Sequence, residues 1–187
     1  MRKLACLLLL VPMLLQAAEK KEKKYDLNDF AWGKIISGPA ITEASSKDKG
    51  IILFFWVNEK QMHVDENLER LSKINEEYSN TVFMVAVELS SINKTAKEQA
   101  DVTKVVKKAN VKVSVAAGMK KMPEGKWPHT IPYCFIFDAK KKFIYEGNVH
   151  GDEFKQAMEE AGIVAGKPGS KPATEEKPAA KDPKKGT

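Results

Sequence analysis

Residues 50–63, GIILFFWVNEKQMH, begin as an unbroken apolar run and end in polar residues, and the reading of that boundary sets the fold of the whole chain. Gly50 to Val57 combines β-branched and aromatic side chains without alternation, the pattern of a strand covered on both faces. Immediately downstream, Val64, Leu68, Leu71, Ile74 and Tyr78 recur at helical spacing, with Asp65, Glu66, Glu69, Arg70, Glu76 and Glu77 on other faces. TVFMVAVEL, Thr81 to Leu89, is a second apolar run. Strand, helix and strand in this order predict a parallel crossover unit.

Working outward, KTAKEQADVTKVVKKAN (94–110) reads as a further helix, capped by Asn93, with acidic residues ahead of a lysine-rich last turn as the helix dipole favours. VKVSV, Val111 to Val115, is a short alternating strand. A long loop from Ala116 to Thr130 holds Gly118, Pro123, Gly125 and Pro128, and its length marks it as functional or mobile. PYCFIF (132–137) and KFIYEG (142–147) then form an antiparallel hairpin. A last helix starts near Asp152, turns Phe154, Met158 and Ala161 inward and stops at Gly162. The order is β-α-β-α-β-β-α, with Ile35 to Ile41 unassigned.

The chain has 187 residues, and its first eighteen are an expected signal peptide: Arg2 and Lys3, twelve residues from Leu4 to Leu15 that are mostly apolar, then Gln16, Ala17 and Ala18. Twelve residues are too few for a bilayer core of about 30 Å, which needs about twenty. An uncleaved anchor is the competing reading, because neither Leu15 nor Gln16 is the small residue favoured three positions before a cut. A cleaved leader implies a secreted or periplasmic protein without a transmembrane segment. It also removes Cys6 and leaves Cys134 without a partner for an internal disulfide.

The formal charge of +6 is carried by the flanks. Residues 1–18 contribute +2, residues 19–24 another +2 and residues 167–187 a further +3, so residues 25–166 sum to −1. No basic stripe on the body supports nucleic-acid binding. The segment GKPGSKPATEEKPAAKDPKKGT (166–187) lacks large apolar residues and is expected to be a disordered, solubilising tail. A tether to an anionic envelope surface is the functional alternative, weakened by Glu175, Glu176 and Asp182. The expected organisation is a signal peptide at 1–18, an extension and lead-in at 19–48, one domain at 49–162 and the tail at 163–187.

KGIILFFWV with the helix after it, HTIPYCFIFD and KKFIYEGNVHGDEFKQAMEEAG together resemble the thioredoxin superfamily, most nearly its exported TlpA and redoxin-like branch. The resemblance runs from Lys49 to Gly162. It implies a single α/β domain with a central mixed sheet flanked by helices, and it makes Pro132 the expected cis-proline. It also implies where a Cys-x-x-Cys should stand, at Lys60, Gln61, Met62 and His63, where this chain has no thiol. The motif works because a helix N-terminus lowers the attacking thiol's pKa and a second thiol resolves the mixed disulfide. None of these four side chains can do either.

Three functional readings follow. The first is a domain without dithiol chemistry that binds an unidentified protein or peptide of the envelope, as redox-inert members of the superfamily do, through a groove of Trp56, Trp127, Pro128, Ile131 and Tyr133. Packing of Trp127 onto the body is the plain alternative for that residue. The second is a thiol-disulfide oxidoreductase or redoxin-type enzyme using Cys134, although a cysteine inside an apolar strand ordinarily behaves as a small buried hydrophobe. The third and weakest is a metal carrier through His63 and His129, since the chain offers no third ligand at metal-binding spacing and His150 stands apart. No cofactor is implied.

Overall fold

The computed structural model describes residues 25–91, 96–124 and 128–166. They form a six-stranded mixed sheet in the order β1-β4-β3-β2-β5-β6. The strands are β1 (Ala31–Ser37), β2 (Gly50–Trp56), β3 (Val82–Glu88), β4 (Ser114–Lys121), β5 (Tyr133–Phe137) and β6 (Phe143–Asn148). The helices are α1 (Glu43–Ser46), α2 (Val64–Tyr78), α3 (Ala96–Lys108) and α4 (Asp152–Glu160). Three 3-10 turns, at Leu27–Asp29, Lys60–Met62 and Leu89–Ser91, complete the regular structure.

The predicted β2-α2-β3 crossover is present. β2 and β3 pair in parallel from Gly50 opposite Val82 to Trp56 opposite Glu88, and every residue of β2 is buried. β3 and β4 are parallel as well. Both crossovers step in the same direction across the sheet, so right-handed connections place α2 and α3 on one face. Leu68, Leu71, Ile74, Val102 and Val106 pack there against Ile52, Phe54 and Trp56, and α4 joins them through Phe154, Ala157 and Met158. Arg70 ties α4 to α2: its guanidinium donates to the Val149 carbonyl at 3.1 Å and lies 5.9 Å from the Phe154 ring centroid.

The opposite face carries no long helix among the described residues. Its core of Ile51, Leu53, Phe55, Val85, Val87, Phe135 and Phe137 is covered by the chain that leads into β1. Tyr25 meets Phe143 edge-on at 4.8 Å, and Phe30 packs on Phe135 at 4.8 Å. Residues 25–37 therefore pack as part of the body, upstream of the expected start at Lys49.

Two sequence readings change. The segment left unassigned at Ile35 to Ile41 overlaps the end of β1, an edge strand that runs antiparallel to β4. The strand expected at Val111–Val115 starts at Ser114 and continues to Lys121, taking in residues assigned to the long loop. Ala116, Ala117, Gly118 and Met119 have weak strand propensity taken alone; they extend because β4 is held between β3 and β1, where pairing outweighs local preference. Gly33 permits the approach, since a β-carbon there would sit 1.9 Å from the Ala117 carbonyl oxygen.

The other elements lie close to their expected bounds. The β5–β6 hairpin turns through Asp138, whose carboxylate accepts the Lys142 N–H at 2.8 Å, and through Lys141 in the left-handed region at φ 67°. At the end of α4, Gly162 has φ 70°, its N–H reaches the Glu159 carbonyl at 3.0 Å, and the Ile163 N–H reaches Met158 at 2.9 Å. That is a glycine-terminated helix end in which two orphan carbonyls are satisfied. The α3 cap assigned to Asn93, the leader and residues 167–187 lie outside the described residues.

Candidate functional site

The chain crosses from β2 to α2 at the end of the sheet formed by the C-terminal ends of β2 and β3. After Trp56 the backbone runs through Val57, Asn58 and Glu59, tightens into the Lys60–Met62 turn and reaches His63 in the left-handed region, φ 51° and ψ 48°. His63 stands at the N-terminal boundary of α2 without capping it by its side chain. The helix is held to the turn from within. Asn67, buried in the first turns of α2, donates from Nδ2 to the Met62 carbonyl at 2.8 Å, and its own N–H reaches the His63 carbonyl at 3.0 Å.

From the other side the loop is latched by Glu88, the last residue of β3 and fully buried. Its Oε1 accepts the Asn58 N–H at 2.8 Å, the Ser90 N–H at 3.1 Å and the Ser90 hydroxyl. A carboxylate at the end of a buried strand is costly unless its lone pairs are occupied, and here they fasten the two loops that frame the site. No sequence motif marks Glu88. Its only signal was a lone acid closing an apolar strand.

The four positions that the resemblance assigns to a dithiol motif are thus a turn, and two of its residues face solvent in ways that matter. Met62 is 38% exposed, one of two exposed large apolar side chains among the described residues. His63 is exposed, with Nδ1 3.3 Å from Glu66 Oε1. Beside them a cleft of about 540 Å³ opens between α2 and α3, lined by Asn58, His63, Val64, Asp65, Glu66 and Val105.

The Ile131–Pro132 peptide bond is cis and immediately precedes β5. Tyr133 pairs with Phe55, which sets Pro132 level with the end of β2 and next to the β2–α2 loop. The expected groove does not form from the residues assigned to it. Trp56 is wholly buried on the helix-covered face, where its Nε1 has no hydrogen-bond partner among the described residues. Tyr133, half-buried, packs on the other face with Phe135. Strand alternation puts these two side chains on opposite sides of the sheet, so they cannot line one channel. Pro128 and Ile131 are half-buried, and Trp127 lies outside the described residues.

Cys134 is in β5 opposite Phe54 and fully buried among the helix-side core. Burial pushes its thiol far above the ordinary cysteine range, which keeps it protonated. His63 and His129 are both exposed and His150 lies after β6; among the described residues no group of three His, Cys, Asp or Glu side chains is placed to hold a metal ion.

No family model matches the chain, and no curated protein matches it. Solved structures do. A thiol-disulfide isomerase from Corynebacterium glutamicum aligns with a TM-score of 0.55 at 10% identity, over 72% of this chain and 92% of that one. A thioredoxin-like superfamily protein, SPOA0173, gives 0.53 at 13%, over 72% and 93%. A DsbF homologue from Corynebacterium diphtheriae gives 0.51 at 14%, over 77% and 95%.

Proposed function

From the premise that this chain has a thioredoxin-like fold, we propose that it is an exported domain without dithiol chemistry that works by binding a protein or peptide at the pole where β2 and β3 end. The observation that carries this reading is the Lys60–His63 turn. The β2–α2 connection is latched by Glu88 and Asn67, and the positions that the resemblance assigns to thiols carry no sulfur nucleophile. Met62 has a thioether, which cannot form a mixed disulfide. Cys134 offers no substitute, because a substrate disulfide would have to enter the core to meet it and find a thiolate there.

The same pole has what a binding module needs. Met62 supplies an exposed apolar contact, the α2–α3 cleft supplies concavity, and Asp65 and Glu66 give its rim a negative charge. A segment with a lysine or arginine beside an apolar residue is the complementary partner.

Two measurements test the reading. Reduction of insulin disulfides by dithiothreitol should proceed no faster with the protein than without it; turnover that disappears in Cys134→Ser would overturn the non-catalytic assignment. Random peptides displayed on phage and panned against the protein should enrich basic-apolar sequences whose binding drops about tenfold in Asp65→Lys, roughly the value of one well-placed charge contact. No enrichment over bare support would count against the site.

A further inference from the structure

The cleft beside His63 continues past it. A second cleft of about 430 Å³ is lined by Asp65, Glu69, Ser72, Val105, Lys108 and Ala109, and it shares Asp65 and Val105 with the first. The two make one groove along the seam between α2 and α3, running from the site pole to the last turn of α3. Its floor is apolar, because Val64, Val105 and Ala109 are half-buried there against the helix-side core. Short side chains at Ser72 and Ala109 keep the far end open.

Five titratable side chains line this groove, and three of them are partnered. Glu66 lies 3.3 Å from His63, and Glu69 accepts from Lys73 at 2.6 Å. The side chains of Asp65 and Lys108 are exposed and make no hydrogen bond or ion pair among the described residues. One stands on the α2 wall and the other on the α3 wall. The groove therefore presents an unpaired negative charge and an unpaired positive charge on either side of an apolar floor.

The dimensions select what can lie there. From Asp65 to Ser72, which shares the far cleft with Lys108, α2 rises about 10 Å. An extended chain covers that length in about three residues, whereas a helix about 10 Å across would ride above the floor. We infer that the α2–α3 groove holds an extended segment of a partner protein whose basic residue meets Asp65, whose intervening apolar side chain covers Val105, and whose acid, about three positions from the base, meets Lys108. This rests on the reading of the pole as a binding site and adds to it the path of the partner and its second charge. Opposite charges on the two walls fix the register of the segment more than its affinity.

The test is panning of random heptapeptides displayed on phage against the full chain and against Lys108→Glu, followed by fluorescence anisotropy of the recovered peptides. The wild type should recover peptides that carry a Lys or Arg, an apolar residue, and an Asp or Glu about three positions from the base. Lys108→Glu should recover a second Lys or Arg where the acid stood. The wild-type peptides should bind it about ten-fold more weakly, against about three-fold for Lys108→Gln, which removes the attraction without reversing it. Lys107→Glu makes the same charge change in the same turn at a residue that does not line the groove, and it should leave affinity unchanged. Carbodiimide coupling should join the acid of the peptide to Lys108 and not to Lys107. Basic-apolar peptides that lack the acid, are recovered equally by both proteins and are weakened by Asp65→Lys alone would overturn the groove while leaving the binding site at the pole. Recovery of no peptide, or of peptides indifferent to both Asp65→Lys and Lys108→Glu, would overturn the two together.

Discussion

Cys134 and Glu88 are the two buried groups whose chemistry the fold decides, and each can be tested singly. The thiol is raised by burial, and unfolding returns it to about 8.5. The native state therefore binds the proton more tightly, so stability is full below about pH 8.5 and falls as pH rises beyond it, by about 1.4 kcal/mol per unit. Urea unfolding of wild type and Cys134→Ala between neutral pH and pH 10 should show this slope in their difference; parallel curves would mean the thiol is not sealed. Replacing it with serine, which puts a hydroxyl into the apolar core, should cost about 1–3 kcal/mol. Glu88→Ala strips the acceptor from the Asn58 and Ser90 N–H groups and should cost about 1–3 kcal/mol, with faster amide exchange at Asn58 as the local signature. The apolar setting of Cys134 could be read from its neighbours in CFIF. The latch could not, because Asn58, which Glu88 fastens to the local Ser90 turn, reaches it only through the tertiary fold.

Among the elements, β2, α2, β5 and α4 announce themselves by unbroken apolarity or by helical spacing, and they occupy their expected places. β1 and β4 do not. AWGKIIS and SVAAGMKK carry glycine, alanine and lysine where strands usually carry branched or aromatic residues, and they extend because each is the other's partner at the sheet edge. That dependence is concentrated at Gly33. Gly33→Ala sets a methyl group against the Ala117 carbonyl and should cost about 1–3 kcal/mol, measured by urea denaturation. An unchanged midpoint would show that the β1–β4 edge can part without loss to the rest. The hairpin was legible for a different reason: Asp138 and the lysines after it form a turn whose hydrogen bonds are local.

At the scale of the molecule, α2, α3 and α4 lie on one face of the sheet and the aromatic segment at residues 25–30 covers the other, which makes Phe30 an unexpected keystone. It is 5% exposed and packs on both Phe135 and Phe137. Phe30→Ala should cost about 3–5 kcal/mol, as for other buried aromatics, and a smaller loss would return residues 25–30 to the status of a peripheral extension. Amide exchange should grade across the sheet, slowest in β2, which is paired on both edges and buried throughout, and fastest in β1.

The parallel crossover, the hairpin, the last helix, the missing thiols at Lys60–His63 and the lysine-rich flanks are all legible in the chain, because each is written in local periodicity or in plain residue identity. Long-range packing settled the rest. It divided Trp56 from Tyr133, since alternation along paired strands sends them to opposite faces. It made strands of β1 and β4 and drew residues 25–30 into the core, since those segments gain their stability from partners far away in the chain.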